Sequence, residues 1–382
     1  MKNDVNSEKR KLGFIVNPYA GIGGRVGLKG SDGAEIVEKA LALGAKQEAP
    51  GRALRALEQL LPLKEDVIIV TCPGDMGENQ ALSLGFTTKV VHPVGEGRTT
   101  GRDTEEAARD MLAMAVELLL FAGGDGTARD VCRAVDLNLP VIGIPAGVKI
   151  HSGVYATSPA AAGQLARKVI DGTGRIWHRE TEVMDIDEEA FRENRVSAKL
   201  YGYMQVPYER SLMQSTKAGS SSGEAGAVDG IASHIIEHME PDRLYLFGPG
   251  TTTRGILEKL DINKTLLGVD ALLNREIIAR DLTEEGILQL LEDHSKAAIV
   301  VTVIGGQGFI FGRGNQQLSH RVIGKVGTKN IIVAASETKM LALEGKPLRV
   351  DTGDPDTDKM LKGYQKVVTG LGRYLASPVA YE

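Results

Sequence analysis

Residues 118–132 read LLLFAGGDGTARDVC, an apolar run that ends in two glycines, an aspartate, a glycine and a threonine. A short apolar run bounded by glycines is typical of a buried strand that stops at a turn, and the residues after this turn continue as a helix. The glycines leave backbone N–H groups bare at the carboxyl end of the strand, and the start of the helix adds the positive end of its dipole. This stretch therefore predicts a turn that accepts an anion.

Two further stretches repeat the pattern. NPYAGIGG at 17–24 follows an apolar run, and IPAGVKIHS at 144–152 follows another. Strand and helix patterns alternate along this part of the chain, which requires parallel pairing with helices on the sheet faces. We therefore expect a doubly wound parallel sheet in an N-terminal α/β domain over residues 11–160. Three glycine turns at the edges of neighbouring strands would line one crevice and predict a phosphate site.

Asp125 lies between the glycines of the 118–132 stretch, where its carboxylate would repel the anion that the glycines attract. It needs another task, and the sequence leaves two: holding magnesium, or taking a proton from an attacking hydroxyl. Both tasks belong to phosphoryl transfer, and a plain helix cap is the alternative. Thr127 could cap the helix or donate a hydrogen bond to a phosphate. His151 could contact phosphate or substrate, or be structural.

The second half of the chain predicts a mixed α/β domain over residues 161–382 with some antiparallel strands, such as EVMDID and KLYGYMQVPY. We expect this domain to bind substrate, and its last segment could return to the first domain. LYLFGPGTTTRGIL at 244–257 resembles the glycine–threonine turns of phosphosugar-binding domains, although a plain capped loop would need no ligand. In GGQGFIFGRGNQQLS at 305–319 an arginine could pair with a phosphate or carboxylate. The substrate-binding candidates in these two stretches are Gly248, Gly250, Thr251, Thr252, Arg313 and Asn315.

Composition narrows the class of protein. The chain has 382 residues and 42% hydrophobic residues, which is enough for two domains with buried cores. A formal charge of −5 without a basic block argues against nucleic-acid binding. No apolar run is long enough to span a membrane or to form a signal peptide, so we expect a cytoplasmic protein. We also expect a homo-oligomer. Cys72 and Cys132 are expected to be reduced core thiols.

One pattern resembles a metal site but is interpreted otherwise. HIIEH at 234–238 places two histidines one helical turn apart with an acid between them, as in inverted zinc-protease motifs. No distal acid can be located, and the segment has the periodicity of an amphipathic helix. We therefore expect an ordinary helix surface there, and the sequence identifies no set of metal ligands.

GGDGT at 123–127, with NPYAGIGG before it and IPAGVKIHS after it, resembles the NAD kinase and diacylglycerol kinase superfamily. The resemblance is to the ATP-NAD kinase-like branch with acetoin-catabolism relatives, and it covers about residues 11–160. It implies that Asp125 activates the acceptor hydroxyl and that the glycine turns bind the phosphates of ATP. The cofactor-binding residues so implied are Asn17, Gly21, Gly23, Gly24, Gly123, Gly124, Gly126 and Thr127, and the substrate-binding candidates of the third turn are Gly147, Lys149, His151 and Ser152.

These patterns together predict a phosphotransferase that uses ATP, or another polyphosphate donor, with Mg²⁺. The resemblance favours NAD as the acceptor. A kinase for another small hydroxylated metabolite and a nucleotide-binding regulatory protein without turnover are the alternatives. The near match to the asparagine–acid pair with which NAD kinases bind ribose is Asn274 with Glu276.

Overall fold

The computed structural model describes residues 9–28, 33–92, 98–148, 150–172, 176–186, 198–214, 224–265 and 267–381. In these residues the strands are β1 (Arg10–Val16), β2 (Val67–Thr71), β3 (Thr87–Val90), β4 (Leu118–Gly123), β5 (Val141–Pro145), β6 (Trp177–Ile186), β7 (Ala198–Tyr208), β8 (Leu244–Phe247), β9 (Asp270–Leu273), β10 (Glu276–Ala279), β11 (Ala297–Thr302), β12 (Phe309–Phe311), β13 (Ile331–Ala334), β14 (Leu348–Val350), β15 (Gly363–Gly370) and β16 (Arg373–Ala380). The α-helices are α1 (Ala34–Ala42), α2 (Ala49–Glu58), α3 (Glu78–Ser83), α4 (Gly101–Ala113), α5 (Asp125–Val135), α6 (Pro159–Asp171), α7 (Glu224–Glu237), α8 (Thr251–Glu258), α9 (Glu284–Asp293), α10 (His320–Val326), α11 (Glu337–Leu341) and α12 (Pro355–Leu361).

The described residues form two compact units. The first unit contains those within 9–21, 46–186 and 198–214, and the second contains those within 22–45 and 224–381. The first unit extends beyond residue 160, where the sequence analysis placed a domain boundary. The second unit begins with a segment from the N-terminal part of the chain. None of the helices in the described ranges is long and apolar enough to cross a membrane.

The first unit is built on a five-stranded sheet in the order β3-β2-β1-β4-β5, in which every pairing is parallel. β4 is buried along its whole length, as its continuous apolar sequence predicts for a strand covered on both faces. Helix α2 packs on α6 and against β4 and β5, while α4 packs on α5 and against β1. The predicted doubly wound parallel sheet is confirmed.

An antiparallel strand pair completes the first unit. β6 and β7 pair from Trp177 opposite Tyr208 to Ile186 opposite Ala198, and both contact helix α5. EVMDID and KLYGYMQVPY were predicted as antiparallel strands of the second domain, and the structure places them in β6 and β7 of the first unit. Val183 and Met204 are fully buried members of the core of this unit.

The second unit contains a nine-stranded mixed sheet in the order β10-β9-β8-β11-β13-β15-β16-β14-β12. β8, β11, β13 and β15 run parallel, while β9 is antiparallel to β8 and β16 to β15. In β11, Ile299 and Val301 enter one hydrophobic cluster and Ala298 and Val300 enter another, because side chains of a strand alternate between its two faces. The predicted mixed α/β character of the second half is confirmed.

Candidate functional site

Three loops leave the carboxyl ends of β1, β4 and β5, which are neighbours in the sheet of the first unit. The direction of winding reverses between β1 and β4, because the chain runs from β1 outward to β2 and β3 and then returns to the other side of β1. Ligands of open α/β sheets bind at the carboxyl ends of the strands at such a switch point. The loops that begin at Asn17 and Gly124 flank this point, and the loop that begins at Ala146 lies next to them.

The first two loops are joined by side chains. Asn17 Nδ2 donates a hydrogen bond to Thr127 Oγ1 over 3.0 Å, and Asn17 Oδ1 accepts one from the backbone N–H of Tyr19 over 3.1 Å. Thr127 lies in the first turn of α5 and is buried. These hydrogen bonds tie the loop after β1 to the first turn of α5.

Close approach of backbones explains several of the glycines. A Cβ on Gly123 would clash with the side chain of Thr127, and a Cβ on Gly147 would lie only 2.7 Å from Gly124 Cα. Gly21 has φ +75°, and a Cβ there would clash with the carbonyl oxygen of Ala146. Glycine at these positions lets the three loops touch, so packing alone requires them and phosphate contact remains a prediction.

Asp125 is the first residue of α5, and its side chain is buried. Its Oδ2 accepts the backbone N–H of His151 over 2.8 Å, and its Oδ1 accepts that of Ser152 over 3.0 Å. Ser152 is buried in turn, and its Oγ accepts the backbone N–H of Met184 over 2.9 Å. The carboxylate therefore holds the third loop against the start of α5. Lys149, predicted to bind substrate, lies outside the described residues.

The imidazole of His151 also faces this carboxylate. His151 Nδ1 lies 3.3 Å from Asp125 Oδ2, and the side chain of His151 is 10% exposed. The sequence placed both residues in glycine turns but gave no sign that they touch. A contact between residues 26 positions apart depends on the neighbouring positions of β4 and β5 in the sheet.

Sequence reasoning missed Tyr155. Its Oη donates a hydrogen bond to the carbonyl oxygen of Gly124 over 2.5 Å, and its ring is fully buried edge-on against Phe121. A Cβ on Gly143 would clash with this ring, so glycine in β5 makes the space that Tyr155 fills. The available signal was a glycine inside an apolar strand, which often marks a close approach.

Models of two known protein domains match separate parts of this chain. The ATP-NAD kinase N-terminal domain matches residues 12–174, and the ATP-NAD kinase C-terminal domain matches residues 241–377. The chain belongs to the ATP-NAD kinase family. The resemblance stated from the glycine turns is thereby confirmed, and the family match reaches well into the second half. A comparison with curated proteins gave no significant match.

Solved structures resemble this member of the ATP-NAD kinase family over part of their length. A diacylglycerol kinase from Bacillus anthracis str. Sterne is 16% identical with a TM-score of 0.23, and the match covers 47% of this chain and 46% of that one. UDP-GlcNAc 2-epimerase from Methanocaldococcus jannaschii is 12% identical with a TM-score of 0.21, and the match covers 92% and 80% of the two chains. The match spans less than half the length of the diacylglycerol kinase.

A further glycine turn connects β8 with α8. It lies within the residues that match the ATP-NAD kinase C-terminal domain. Gly250 precedes α8 with φ 129°, and a Cβ there would lie 2.5 Å from Thr302 Cγ2. Thr253 Oγ1 donates to the carbonyl oxygens of Gly248 and Gly250 over 2.7 and 3.0 Å. Thr252 is buried, and its Oγ1 accepts a hydrogen bond from Lys339 Nζ over 2.8 Å. Thr251 is exposed at the first position of α8.

Two residues predicted to bind substrate have partners inside the second unit. The buried Arg313 lies 3.4 Å from Asp351 Oδ2 and covers the ring of Phe309. Asn315 Oδ1 accepts the N–H of Gly312 over 2.9 Å, and its Nδ2 donates to the carbonyl oxygen of Ile310 over 2.9 Å. These contacts stabilise the turn after β12, and substrate binding by either residue remains a prediction.

Gly23 and Gly24 also belong to the second unit, although the sequence analysis grouped them with Gly21 in one turn. The backbone N–H of Leu28 donates to the carbonyl oxygen of Gly23 over 2.9 Å, and a Cβ on Gly24 would lie 3.1 Å from Gln316 Cδ. The turn at 17–24 is therefore divided between the units. Phosphate binding by these two glycines stays a prediction.

Two further sequence motifs, the Asn274 and Glu276 pair and the HIIEH segment, are part of the packed structure of the second unit. Asn274 and Arg275 both have positive φ and connect β9 to β10, so Asn274 and Glu276 belong to a hairpin. His234 of the HIIEH segment is buried against Tyr374, whose Oη lies 2.5 Å from His234 Nε2. Burial lowers the pKa of His234. The expectation of an ordinary exposed helix surface is wrong for His234, because β16 covers it.

Both cysteines are free and buried, and burial raises the pKa of the Cys72 thiol to about 12, which leaves it unreactive at neutral pH. The described ranges contain no group of three histidine, cysteine, aspartate or glutamate side chains that could hold a metal ion.

Proposed function

We propose that this chain is a kinase that transfers the γ-phosphoryl group of ATP to a hydroxyl group, with NAD as the acceptor. Membership of the ATP-NAD kinase family supports kinase chemistry. One observation carries the choice of site: three loops meet at the switch point of the parallel sheet, and the middle loop holds a buried carboxylate, Asp125.

The proposed donor site lies at the amino-terminal end of α5. The first N–H groups of an α-helix have no acceptor within the helix, and they attract phosphate together with the helix dipole. In α5 these groups belong to Asp125, Gly126 and Thr127. We assign the phosphates of ATP to these N–H groups and to the backbone of the loops around them, at Asn17, Gly21, Gly123 and Gly124.

Magnesium enters the proposal as a partner of the nucleotide. Mg²⁺ in kinases is bound largely by substrate phosphates and water, with few protein ligands. The described residues offer no cluster of three ligating side chains, and both oxygens of Asp125 already accept N–H groups. We therefore assign no residue as a magnesium ligand. When bound, the ion would neutralise charge on the transferred phosphoryl group.

Two candidate acceptors of the phosphoryl group differ in chemistry. The C-terminal family domain favours NAD, and Gly248, Gly250, Thr251, Thr252, Arg313 and Asn315 are its proposed contacts. The near match to a ribose-binding pair, Asn274 with Glu276, instead lies in a hairpin. That observation favours the second candidate, a kinase for another small hydroxylated metabolite.

The experiment that tests this proposal follows label from γ-labelled ATP into products, with NAD and a panel of small polyols and alcohols as acceptors. We expect magnesium-dependent labelling of NAD. Labelling of a polyol instead would support the second candidate. Stabilisation of the protein by ATP in thermal unfolding, without product from any acceptor, would contradict kinase activity and indicate a nucleotide-binding regulatory protein.

A further inference from the structure

The mixed sheet of the second unit has a switch point of its own. The chain runs from β8 to β9 and β10 on one side, and it then returns to place β11 and β13 on the other side of β8. β8, β11 and β13 are parallel, so their carboxyl ends meet at one edge of the sheet. Because ligands of open α/β sheets bind outside such a point, a ligand is expected at this edge as well.

The side chain of Lys339 joins the loops that leave these strands. Its Nζ donates a hydrogen bond to Thr252 Oγ1 over 2.8 Å, and Thr252 lies in the first turn of α8, which follows β8. Lys339 belongs to α11, which follows β13, and its Cγ lies 4.0 Å from where a Cβ on Gly305 would stand in the loop after β11. The ammonium group of Lys339 is therefore held at the amino-terminal end of α8.

Positive charge is concentrated at this place. The first N–H groups of α8 have no acceptor within the helix, and Gly250 at the cap position has no side chain to accept them. The first turn of α8 contains no acidic residue, so the positive end of the helix dipole and the Lys339 ammonium lie together. The Thr252 hydroxyl, which accepts one hydrogen bond from Lys339, can also donate one. Phosphate is an anion with enough oxygens to accept from several such donors.

An unsatisfied hydroxyl lies against the same turn. Thr302 is the last residue of β11, and its Cγ2 is 2.5 Å from where a Cβ on Gly250 would stand. Its Oγ1 is buried and has no hydrogen-bond partner among the residues that the structure describes. A buried hydroxyl without a partner is costly. An anion bound at this turn would supply the acceptor that the Thr302 hydroxyl lacks.

We propose that Lys339, Thr252 and Thr302 bind a phosphate group of the acceptor at the carboxyl ends of β8 and β11. That this ligand is the acceptor rests on the proposed kinase function, whereas the binding of phosphate does not. NAD and a phosphorylated polyol share this group, and a neutral polyol lacks it. The site therefore selects acceptors that already carry a phosphate.

The first test measures binding and needs no turnover. Lysines of the full-length protein are acetylated with a trace of acetic anhydride, with and without inorganic pyrophosphate, and each lysine is quantified by mass spectrometry. We expect pyrophosphate to slow the acetylation of Lys339 and to leave that of Lys359, an exposed lysine of α12, unchanged. Sodium chloride at the same ionic strength is the control. Acetylation of Lys339 that ignores pyrophosphate would overturn the site, and pyrophosphate bound elsewhere would not mimic protection of this lysine.

The source of the phosphate is distinguished in the same assay. Protection of Lys339 by both NAD and glycerol 3-phosphate, with none by glycerol, supports a site for any phosphate-bearing acceptor. Protection by NAD alone supports a site for a dinucleotide. Glycerol that protects Lys339 as well as its phosphate ester does would overturn the selection of phosphate.

The second test is kinetic and separates the role of the charge from packing. Lys339→Met removes the charge, and we expect the KM of a phosphate-bearing acceptor to rise about 10–100-fold, with a smaller change in kcat and in the KM of ATP. Lys339→Arg keeps the charge and should lie closer to wild type. Lys359→Met is the matched control and should behave as wild type. Thermal unfolding checks that each variant is folded.

Thr302→Val tests the buried hydroxyl. This change removes a hydroxyl that has no partner, so we expect the free energy of unfolding to stay at the wild-type value or rise, while the KM of the acceptor increases. A variant that is less stable than wild type and keeps its KM would contradict the role of Thr302 in binding.

The outcomes separate this inference from the kinase proposal. A wild-type protein that labels no acceptor overturns the kinase proposal, while protection of Lys339 by pyrophosphate still supports the phosphate site. Turnover of a phosphate-bearing acceptor with an unchanged KM in folded Lys339→Met overturns the role of Lys339 and leaves the kinase proposal standing.

Discussion

The two glycine turns at 123–127 and 248–252 occupy the same place between a strand and a helix, but they differ in chemistry. Each follows a buried strand and opens an α-helix, and each contains a glycine that brings it against a threonine. The first turn carries Asp125, whose carboxylate binds the neighbouring loop and faces an imidazole. The second carries threonines, one of which accepts a hydrogen bond from Lys339. Glycines permit such a turn, and the side chains among them decide what it can do.

The largest expected difference between the turns is catalytic. Asp125→Ala should lower kcat by about 10²–10⁴-fold, because it removes the carboxylate around which the proposed site is built and releases the third loop. Thr252→Val in the second turn removes the hydroxyl that accepts from Lys339, and we expect it to act more on the KM of the acceptor than on kcat. Steady-state kinetics with labelled ATP measures both. Equal losses of kcat in Asp125→Ala and Thr252→Val would contradict this difference between the two turns.

The next effect concerns packing, where the two turns should behave alike. Gly123→Ala would clash with Thr127, and Gly250→Ala would press on Thr302 at φ 129°, so each should lower the free energy of unfolding by about 1–3 kcal/mol. Gly51 of α2 is the control, because a Cβ there meets nothing within 4 Å. Gly51→Ala should stabilise the helix by about 0.5–1 kcal/mol. Denaturant unfolding checks all three, and a neutral Gly123→Ala would contradict the close contact.

The smallest expected effect on stability comes from the side-chain hydrogen bonds that hold each turn. Tyr155→Phe removes one hydrogen bond to the carbonyl oxygen of Gly124, and Thr253→Val removes those to Gly248 and Gly250. We expect each to cost about 1 kcal/mol of unfolding free energy, since a neutral hydrogen bond contributes about that much. Thermal unfolding of the two variants against wild type measures this. A cost several times larger for Tyr155→Phe would show that the first turn depends on this phenol far more than the second depends on its threonine.

Local patterns predicted the fold well because strands and glycine turns have local signals. The apolar runs of β1, β4 and β5 and the glycines after them gave a parallel sheet with loops at one edge. The partners of individual side chains depended on distant residues. Asp125 meets its partners only because β4 and β5 are adjacent, and His234 is buried by Tyr374, 140 residues further along the chain.

Arg313 is another residue whose partner the sequence could not predict. A glycine-rich stretch around an arginine predicted a ligand contact, since Arg pairs well with phosphate and carboxylate. In the fold the guanidinium lies against Asp351, which belongs to a different segment after β14. A sequence pattern identifies the kind of partner that such a group needs, but the fold decides whether the chain itself supplies one.

Residues 22–45 lie in the sequence between two parts of the first unit but belong to the second unit. This arrangement affects how the two units can be produced and separated. Because this early segment belongs to the same unit as residues 224–381, no single cut of the chain yields the two units intact. On the ribosome, these residues emerge long before the strands with which they assemble. A truncated gene that ends near residue 214 would encode the parallel sheet together with residues 22–45. It would lack residues 224–381, with which that segment assembles.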